Sequence, residues 1–579
     1  MNTVKAKTHC LYCSLGCPVG VEKRPHGIVQ PTYVQGADSF TNGRLCYRGH
    51  YAAALLSHPK RLVEAVSKQD GEGNHSHEAL LAEAAGMIRN AGKENSLGVI
   101  LSGNLPTSEL WDAAQFLQNL IPSDHIGIFI PPSDHSMLGG LSACTCKAAG
   151  WEDLTKAQTV FAVGDVLGTH PVLGHALMDI LEKNPKTGLL NLDVIQGRTM
   201  RFASQGMKAK IGYELHALLG LASVAGVDIQ DFLRDAPDVE ELLSAAEISK
   251  ADAERCVDAI RTSKQAVLLL TLPHGRNVDG ELMALAAGRL CKATKAKLMP
   301  LFIQGGSAGA YGVAKTLGLS NTAQWLRAAR EGKFDTIFCA DVDLAGCLPD
   351  DLYKETVGKA ESLVVAASMP SLTVERADIS LPLAFWFEME GQVLDYQGES
   401  VRLSALHEPA GGALSLVNLL NLLAETSGTA PIDTVELNLS EKLGSILNSS
   451  EVPAPLILRS EPDSPPYPFT LISRTETLDL YEGGVSRMLD WPGTIEAEPA
   501  ILIHPDDVDT LGIADQAIIT LRNEFGSSRL MAKRNAAVPV GTAAIPATLP
   551  AMRNFFHWEL GDKDIEIRSL PAEIAVPTA

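Results

Sequence analysis

The chain has 579 residues, of which 46 % are hydrophobic and 20 % charged, so it can form several packed domains and is not a disordered protein. Its 69 acidic residues outnumber the 48 basic ones and give a net charge of −21, which argues against nucleic-acid binding. The apolar runs are too short to span a membrane and the first residues form no signal segment. We therefore expect a cytoplasmic protein without direct membrane insertion.

Four of the ten cysteines lie near the start of the chain, at Cys10, Cys13, Cys17 and Cys46. Three thiolates on one tight loop and a fourth from a returning segment suit the ligation of a [4Fe–4S] cluster. Structural zinc, which favours paired C-x2-C motifs, and unligated thiols remain alternatives on spacing alone. We predict a small cluster-binding domain over residues 1–60.

Residues 61–430 alternate between amphipathic helices and short apolar strands. Helical spacing is clearest at residues 77–90 and 108–121. Strand-like runs occur at residues 97–102, 126–130, 159–163, 187–194, 266–272, 297–303, 335–342 and 362–367. This alternation predicts an α/β body with two doubly wound lobes of parallel strands covered on both faces. No internal repeat is evident.

The last part of the chain has a different texture. Prolines and serines are frequent between residues 431 and 468, which we interpret as a linker. Residues 469–579 contain several short β-like runs separated by turns, and they predict a separate C-terminal β-barrel.

The segment around the fourth cysteine carries a resemblance to a known family. C-Y-R-G at residues 46–49 is followed by H-P-K-R-L at residues 58–62. This pattern resembles the N-terminal domain of the molybdopterin oxidoreductase superfamily, which includes the formate dehydrogenase α-subunits. The resemblance favours the cluster over zinc, and it implies that Arg48 bridges the cluster and a pterin.

Further motifs extend the resemblance along the chain. V-G-D at residues 163–165 is similar to a stretch that supports a pterin nucleotide, and Asp193 followed by Arg198 is similar to a strand end that receives one. The resemblance therefore implies cofactor contacts at Gly164, Asp165, Asp193 and Arg198. E-M-E-G at residues 388–391 matches a further family motif. L-Y-E-G-G at residues 480–484 and I-H-P-D-D at residues 503–507 resemble most closely the large iron–sulfur subunit of bacterial NADH dehydrogenase, and they imply a double-psi-like barrel.

One expected feature of the active enzymes is absent. The stretch that carries a cysteine or selenocysteine metal ligand in formate dehydrogenases corresponds to residues 132–141, where no cysteine precedes His135. The ligand position falls on Asp134 if His135 is aligned and on Ser133 if Gly140 is aligned. Asp134 either ligates molybdenum through oxygen or caps the following helix. Asp134 and His135 are the candidate catalytic residues. We interpret Cys144 and Cys146, on the same predicted helix, as packed thiols.

We therefore predict an iron–sulfur electron-transfer subunit of a multi-subunit oxidoreductase, with partner subunits that carry iron–sulfur clusters or flavin. One alternative is an active oxidoreductase with molybdenum or tungsten on molybdopterin guanine dinucleotide. Another is a non-catalytic scaffold, against which the intact cysteine set argues.

Overall fold

The structure is a computed structural model. It describes residues 7–23, 29–36, 39–68, 75–186, 188–272, 279–427, 438–444, 456–458, 468–474, 500–514, 516–546, 550–568 and 570–575.

The N-terminal segment forms a three-stranded antiparallel sheet followed by one helix. Its elements are β1 (Thr8–His9), β2 (Pro18–Lys23), β3 (Val29–Tyr33) and α1 (Tyr47–Leu55). Most side chains of the turn between β1 and β2 are buried, so this turn packs against the body of the protein.

The next segment begins the first of two α/β lobes. Its elements are β4 (Val66–Ser67), α2 (His77–Glu94), β5 (Leu97–Ser102), α3 (Thr107–Gln118), β6 (Ile126–Phe129), α4 (Pro132–Ser142) and α5 (Trp151–Lys156). The hydroxyl of Ser76 accepts a hydrogen bond from the Ala79 amide and starts α2, and Asn95 ends it in the left-handed conformation. Every residue of β5 is buried, as expected for a central parallel strand.

A second lobe is inserted after α5. Its elements are β7 (Thr159–Val163), α6 (Val166–Thr169), α7 (Leu173–Lys183), β8 (Leu189–Asp193), α8 (Arg198–Phe202), β9 (Gln205–Lys208), α9 (Glu214–Val224), β10 (Leu233–Arg234), α10 (Val239–Ala245), α11 (Lys250–Thr262), β11 (Ala266–Leu270), α12 (Gly280–Thr294) and β12 (Lys297–Pro300). The chain then returns to the first lobe.

The returning segment completes the first lobe. Its elements are α13 (Ser307–Leu317), α14 (Thr322–Arg330), β13 (Thr336–Ala340), α15 (Leu344–Cys347), α16 (Asp350–Glu355), β14 (Ser362–Ala367), α17 (Leu372–Arg376), β15 (Ile379–Pro382), β16 (Gly391–Leu394), β17 (Ser400–Leu403), α18 (Leu416–Ser427), α19 (Leu439–Leu443) and β18 (Leu456–Ile457).

Both lobes have doubly wound sheets, as predicted. The inserted lobe has a five-stranded parallel sheet in the order β12-β11-β7-β8-β9. The first lobe has six strands in the order β4-β15-β14-β13-β5-β6, all parallel except the edge strand β4. The strand order reverses between β7 and β11 in one sheet and between β5 and β13 in the other. Such switch points open a crevice at the carboxyl ends of the strands.

The C-terminal part is a closed six-stranded barrel, which confirms the barrel prediction. Its strands run in the order β19-β23-β20-β22-β21-β26, and β24 and β25 form a separate hairpin. The elements are β19 (Phe469–Arg474), β20 (Ala500–Ile503), α20 (Pro505–Thr510), β21 (Ile518–Asn523), β22 (Gly526–Arg534), β23 (Thr542–Pro546), α21 (Pro550–Arg553), β24 (His557–Leu560), β25 (Ile565–Arg568) and β26 (Pro571–Ala575).

The described part of the predicted linker is not a free spacer. Leu439 and Leu443 of α19 are fully buried in the body, and β18 pairs in parallel with β10. The prediction of a linker is therefore wrong for residues 438–444, whose leucines join the core, and for residues 456–457, which form a strand paired with β10. The remaining residues of the linker lie outside the described part, as does the L-Y-E-G-G motif. Among the described residues, no helix is long and apolar enough to cross a membrane.

Candidate functional site

The four N-terminal cysteines come from two segments, as the spacing predicts. Cys10, Cys13 and Cys17 lie on the turn between β1 and β2, and Cys46 directly precedes α1. The Cys10 amide donates to the Cys17 carbonyl at 3.0 Å and closes the turn. Gly16 has a φ of +57°, which glycine adopts without the strain that a side chain would cause.

The environment of these thiols fits a polynuclear metal cluster. Cys10, Cys13 and Cys17 are buried and Cys46 is half-buried. Burial is the largest cause that raises the pKa of the Cys10, Cys13 and Cys17 thiols, and the charge of Cys46 contributes, so that the pKa of Cys13 rises to about 11. Four thiolates this close repel one another, so an all-thiolate set requires cations between them. The irons of a cluster supply those cations.

The geometry does not favour a single zinc ion. Zinc holds four thiolates at about 2.3 Å from one point, whereas a cubane cluster takes each thiolate at a separate iron. In the part of the chain that the structure describes, no three His, Cys, Asp or Glu side chains form a group that could hold one metal ion. This result covers the four N-terminal cysteines as well, so it supports neither zinc nor a cluster.

The cysteine turn rests on the loop that follows β12. The amide of Ser14 donates to the Phe302 carbonyl at 3.0 Å, and the amide of Phe302 donates to the Ser14 hydroxyl at the same distance. The amide of Gly305 donates to the Leu11 carbonyl at 3.0 Å. A Cβ at Gly305 would lie 2.8 Å from that carbonyl oxygen, so only glycine allows the contact.

Arg48 lies between the cysteines and the inserted lobe. Its side chain is buried, and Nη2 donates to the carbonyl of Thr169. Burial alone lowers its pKa, but the charges of Cys46, Tyr47 and Cys13 outweigh burial and raise it, so the guanidinium stays charged. Its Nε has no hydrogen-bond partner among the described residues, and a buried orphan donor fits an absent anionic group.

His170 lies between Thr169 and the loop that follows β12. Its ring is fully buried, with Nδ1 2.9 Å from the Thr169 hydroxyl and Nε2 3.0 Å from the Phe302 carbonyl. Both nitrogens are therefore used in structural contacts, and His170 positions the loop rather than reacting.

Asp134 does not cap helix α4, and its role as a metal ligand stays a prediction. Helix α4 begins at Pro132 and Pro131 is its N-cap, so Asp134 is not the cap. Its Oδ1 accepts from the amide of Ile303 at 3.0 Å, and its Oδ2 accepts from the amide of Gln304 at 3.1 Å and the hydroxyl of Ser307 at 2.7 Å. A carboxylate with both oxygens occupied is a poor metal ligand. The capping prediction is wrong because the aspartate lies one turn too deep.

His135 points away from Asp134. Its Nδ1 lies 3.3 Å from Asp564 Oδ2 in the turn between β24 and β25, and its ring meets Tyr311 edge-on at 5.5 Å. Burial raises the pKa of Asp564, while the neighbouring His135 lowers it. The structure therefore does not bring Asp134 and His135 to one site, because adjacent helical residues point in different directions.

Four of the five predicted cofactor residues lie together, whereas Arg48 does not line the same cavity. Gly164, Asp165, Asp193 and Arg198 line one cavity of about 330 Å³. The cavity lies at the carboxyl ends of β7, β8 and β11, at the switch point, and the barrel closes it with residues that include Ser473 and Asn535. His274, Arg276 and Asn277, which follow β11 in the sequence, lie outside the described residues.

Charged groups of both signs face this cavity. Arg198, Arg201 and Arg474 are the cations, and Asp165, Asp193, Glu214 and Asp279 are the acids. Removal from solvent raises the pKa of Asp193 to about 8, and repulsion from Asp165 contributes. At neutral pH the Asp193 carboxyl is therefore mostly protonated and can donate a hydrogen bond to a ligand. The hydroxyl of Thr271 is buried without a partner in the described part of the structure.

Asp165 has a second, structural role in this cavity wall. Its Oδ1 accepts from the amide of Thr199 at 2.9 Å and from the Thr199 hydroxyl at 2.7 Å. The same hydroxyl accepts from the amide of Leu167 at 3.0 Å. These bonds fix the start of α8 beside α6 and orient Arg198 at the cavity mouth.

The first lobe repeats this arrangement in its structure, although the sequence shows no repeat. Oδ1 of Asp343 accepts from the amide of Thr373 at 3.0 Å and from its hydroxyl at 2.8 Å, and that hydroxyl accepts from the amide of Ala345 at 2.8 Å. The two segments share only D-x-x-G, at residues 165–168 and 343–346, and a distant threonine, which is too little to form a recognisable sequence repeat.

The cavity of the first lobe is much smaller. It measures about 60 Å³ and is lined by Asn104, Asp341 and Trp386, among other residues. The Asn104 Oδ1 atom is buried there without a partner among the described residues. The volume does not fit a dinucleotide, whereas the larger cavity fits part of one.

Two domain models match the chain. The molybdopterin oxidoreductase Fe4S4 domain matches residues 3–58, and the molydopterin dinucleotide binding domain matches residues 470–562. These matches confirm the predicted resemblance and the predicted cofactor classes. Which residues bind the cofactors stays a prediction.

Curated relatives are distant. An NADH-quinone oxidoreductase subunit of Buchnera aphidicola subsp. Baizongia pistaciae is 19 % identical over 70 % of this chain and 46 % of its own length. An NADH-quinone oxidoreductase subunit of Rhizobium meliloti is 21 % identical over 95 % of this chain and 71 % of its own length. Nitrate reductase of Klebsiella oxytoca is 26 % identical over 40 % of this chain and 27 % of its own length. The chain thus spans less than half of the first relative.

Among solved structures, acetylene hydratase from Pelobacter acetylenicus has a similar fold. The TM-score is 0.72 and the alignment covers 98 % of this chain and 100 % of the other, at 14 % sequence identity. At that identity the likeness concerns the fold alone.

Proposed function

We propose that the chain is an iron–sulfur electron-transfer subunit of a multi-subunit oxidoreductase. In this proposal one [4Fe–4S] cluster is bound by Cys10, Cys13, Cys17 and Cys46. The observation that carries it is the gathering of four mutually repelling, largely buried thiols beside the guanidinium of Arg48. Such a set is unfavourable unless cations occupy the space between the sulfurs.

The proposal requires partners. A cluster of this kind passes one electron at a time, so electrons must enter and leave through other redox centres. We propose subunits that carry iron–sulfur clusters or flavin, in keeping with the names of two relatives, each a subunit of NADH-quinone oxidoreductase. The ten cysteines of the structure are all free thiols, which supports a reducing compartment such as the cytoplasm.

We assign the parts of the chain as follows. Residues 1–60 hold the cluster, residues 61–430 form the two-lobed body, and residues 469–579 form the barrel. Arg48 couples the cluster to the inserted lobe through Thr169. Gly164, Asp165, Asp193 and Arg198 would contact a nucleotide-like ligand in the larger cavity.

Iron and sulfide analysis of anaerobically purified protein tests the proposal. We expect about four irons and four sulfides per chain, and little iron in Cys10→Ser or Cys46→Ser variants. Cys256→Ser is the matched control, since Cys256 is a buried thiol on α11 outside the cysteine turn, and it should keep the iron. Full iron in all three variants, or zinc in place of iron, would refute the proposal.

A second candidate is an active molybdenum or tungsten oxidoreductase. The observation in its favour is the larger cavity at the switch point, with three arginines, a protonatable aspartate and an orphan hydroxyl. When bound, a pterin-held metal would supply two-electron chemistry, and the cavity residues would hold its nucleotide. Stoichiometric molybdenum or tungsten with pterin, lost in an Arg198→Ala variant, would establish this candidate. An iron-only protein would exclude it.

A further inference from the structure

Three further cysteines lie together, away from the sites described above. Cys144 and Cys146 follow the end of α4 at Ser142, so the prediction that they lie on the helix is wrong. Cys291 lies on the neighbouring helix α12. A Cβ on Gly288 of that helix would lie 2.0 Å from the Cys144 sulfur and 3.6 Å from the Cys146 sulfur. The glycine therefore leaves room for both sulfurs against one point of α12.

The two sulfurs differ in access. Cys144 is only 2 % exposed, whereas Cys146 is half-buried and borders a surface depression with Thr145, Lys147 and Lys297. Backbone bonds at 2.9 and 2.8 Å, from Leu298 to Lys147 and from Ala149 to Leu298, fix this segment against β12. A reagent can therefore reach the Cys146 sulfur from solvent, whereas the Cys144 sulfur lies behind it in the interior.

Positive charge surrounds the pair. Lys292 donates to the hydroxyl of Thr145 at 3.3 Å, and the Nε of Arg289 has no hydrogen-bond partner among the described residues. A hydrogen bond from Cys146 lowers the pKa of the Cys144 thiol, burial opposes this, and Arg289 and Lys292 lower it further. The same hydrogen bond, burial and the charge of Cys144 raise the pKa of the Cys146 thiol, so Cys144 loses its proton first and Cys146 keeps the proton of the pair.

We propose that Cys144 and Cys146 form a thiol–disulfide redox pair that reacts with a small anionic disulfide of the glutathione type. Cys146 passes its proton to the Cys144 thiolate and attacks one sulfur of the reagent, so that a Cys146–reagent S–S bond forms and the reagent's own S–S bond breaks. The released reagent thiolate then takes the proton from Cys144. The Cys144 thiolate then attacks the Cys146 sulfur and expels the second reagent thiolate. The two cysteines lose two electrons and the reagent gains them, and the one proton of the pair leaves with the first released thiol while the second reagent group leaves as a thiolate.

Cys291 is not part of the pair. It is completely buried, and burial together with the charge of Cys144 raises the pKa of its thiol. It therefore stays protonated and packs behind Cys144. This gives a matched control cysteine within the same cluster of sulfurs.

Mass spectrometry of the whole holoprotein tests the proposal. Trypsin releases residues 94–147 as one peptide, which contains Cys144 and Cys146 and no other cysteine. After incubation with mixtures of reduced and oxidised glutathione and alkylation, we expect this peptide to carry an internal disulfide whose fraction follows the glutathione ratio. Cys291→Ser should leave that fraction unchanged. Alkylation of the reduced pair at pH 7 should be about tenfold faster than that of Cys291.

Single variants test the order of the steps. In Cys144→Ser we expect a glutathione adduct trapped on Cys146, because no second thiol resolves it. In Cys146→Ser we expect no adduct, because Cys144 is shielded. The proposal is overturned if peptide 94–147 stays fully reduced at every ratio, or if Cys291 forms the disulfide instead. Iron content, measured in parallel, reports separately on the cluster of the proposed function.

Discussion

Arg61 and Glu388 form a two-pronged ion pair in the interior, although they lie 327 residues apart in the sequence. Nη1 of Arg61 donates to Oε1 of Glu388 at 2.6 Å and Nη2 donates to Oε2, and the side chains are 2 % and 0 % exposed. Glu388 also accepts from the amide of Phe385 at 2.8 Å. Trp386, the residue after Phe385, meets Tyr12 of the cysteine turn edge-on. The ion pair therefore holds the segment with Phe385 and Trp386, which packs against the cysteine turn.

We expect Arg61→Ala to destabilise the protein by about 3–5 kcal/mol, because it leaves the buried Glu388 carboxylate without a counter-charge. The double variant Arg61→Met, Glu388→Gln should recover much of that loss. Lys250→Ala is the control, since its pair with Glu240 is exposed and should contribute under about 1 kcal/mol. Urea unfolding measures all three. A loss as small for Arg61 as for Lys250 would contradict the account.

Asp134→Ala should destabilise the protein by about 2–4 kcal/mol, because it leaves two buried amides and the Ser307 hydroxyl without an acceptor. Asp351→Ala, a first-turn aspartate of α16 that is 88 % exposed, should cost far less. Thermal unfolding and metal analysis together check the prediction. If Asp134→Ala lost molybdenum with stability unchanged, the aspartate would be a metal ligand instead.

Asp193→Asn should stabilise the protein increasingly as the pH rises from about 4 to about 8. The folded-state pKa of Asp193 is raised to about 8, while its unfolded value lies near 4. The unfolded chain therefore releases the proton first, and wild-type stability falls through this window by at most about 1.4 kcal/mol per pH unit from this group. Thermal unfolding at pH 5 and 8 measures the difference. A gain that is equal at both pH values, or that matches exposed Asp231→Asn, would contradict the assignment.

Thr199→Val and Thr373→Val should each cost about 1–3 kcal/mol, because each hydroxyl donates to an aspartate and accepts from an amide. The two sites lie in different lobes, so the double variant should lose the sum of the two within about 0.5 kcal/mol. Serine at either position keeps the hydroxyl and should cost less. Denaturant unfolding measures these losses of stability. Unequal losses for the two single variants, or a strongly non-additive double variant, would argue against a structural repeat.

The sequence was sufficient for features that local chemistry determines. Apolar runs such as residues 97–102 and 159–163 became buried parallel strands because their composition leaves no other favourable environment. The cysteine spacing and the short motifs confined the cluster to residues 1–60, and the strand-end residues Gly164 and Asp193 did meet in one cavity, since parallel strands align their carboxyl ends.

Contacts between distant segments were not predictable in this way. Asp134 bonds to residues about 170 positions away, and nothing in its local sequence indicates the amides of Ile303 and Gln304. The G-G-S-A-G stretch at residues 305–309 matches no ligand-binding motif, yet Gly305 supports the cysteine turn through Leu11. Helix α4 ends at Ser142, so Cys144 and Cys146 lie on a loop and not on the predicted helix.

The most direct test of the central claim is the electron paramagnetic resonance spectrum of the dithionite-reduced protein. We predict one iron–sulfur signal that integrates to about one unpaired electron per chain in the wild type and in Cys256→Ser, and that is absent or strongly altered in Cys13→Ser. A wild-type protein without such a signal, whose four N-terminal thiols all react with an alkylating reagent, would contradict the assignment of Cys10, Cys13, Cys17 and Cys46 as cluster ligands.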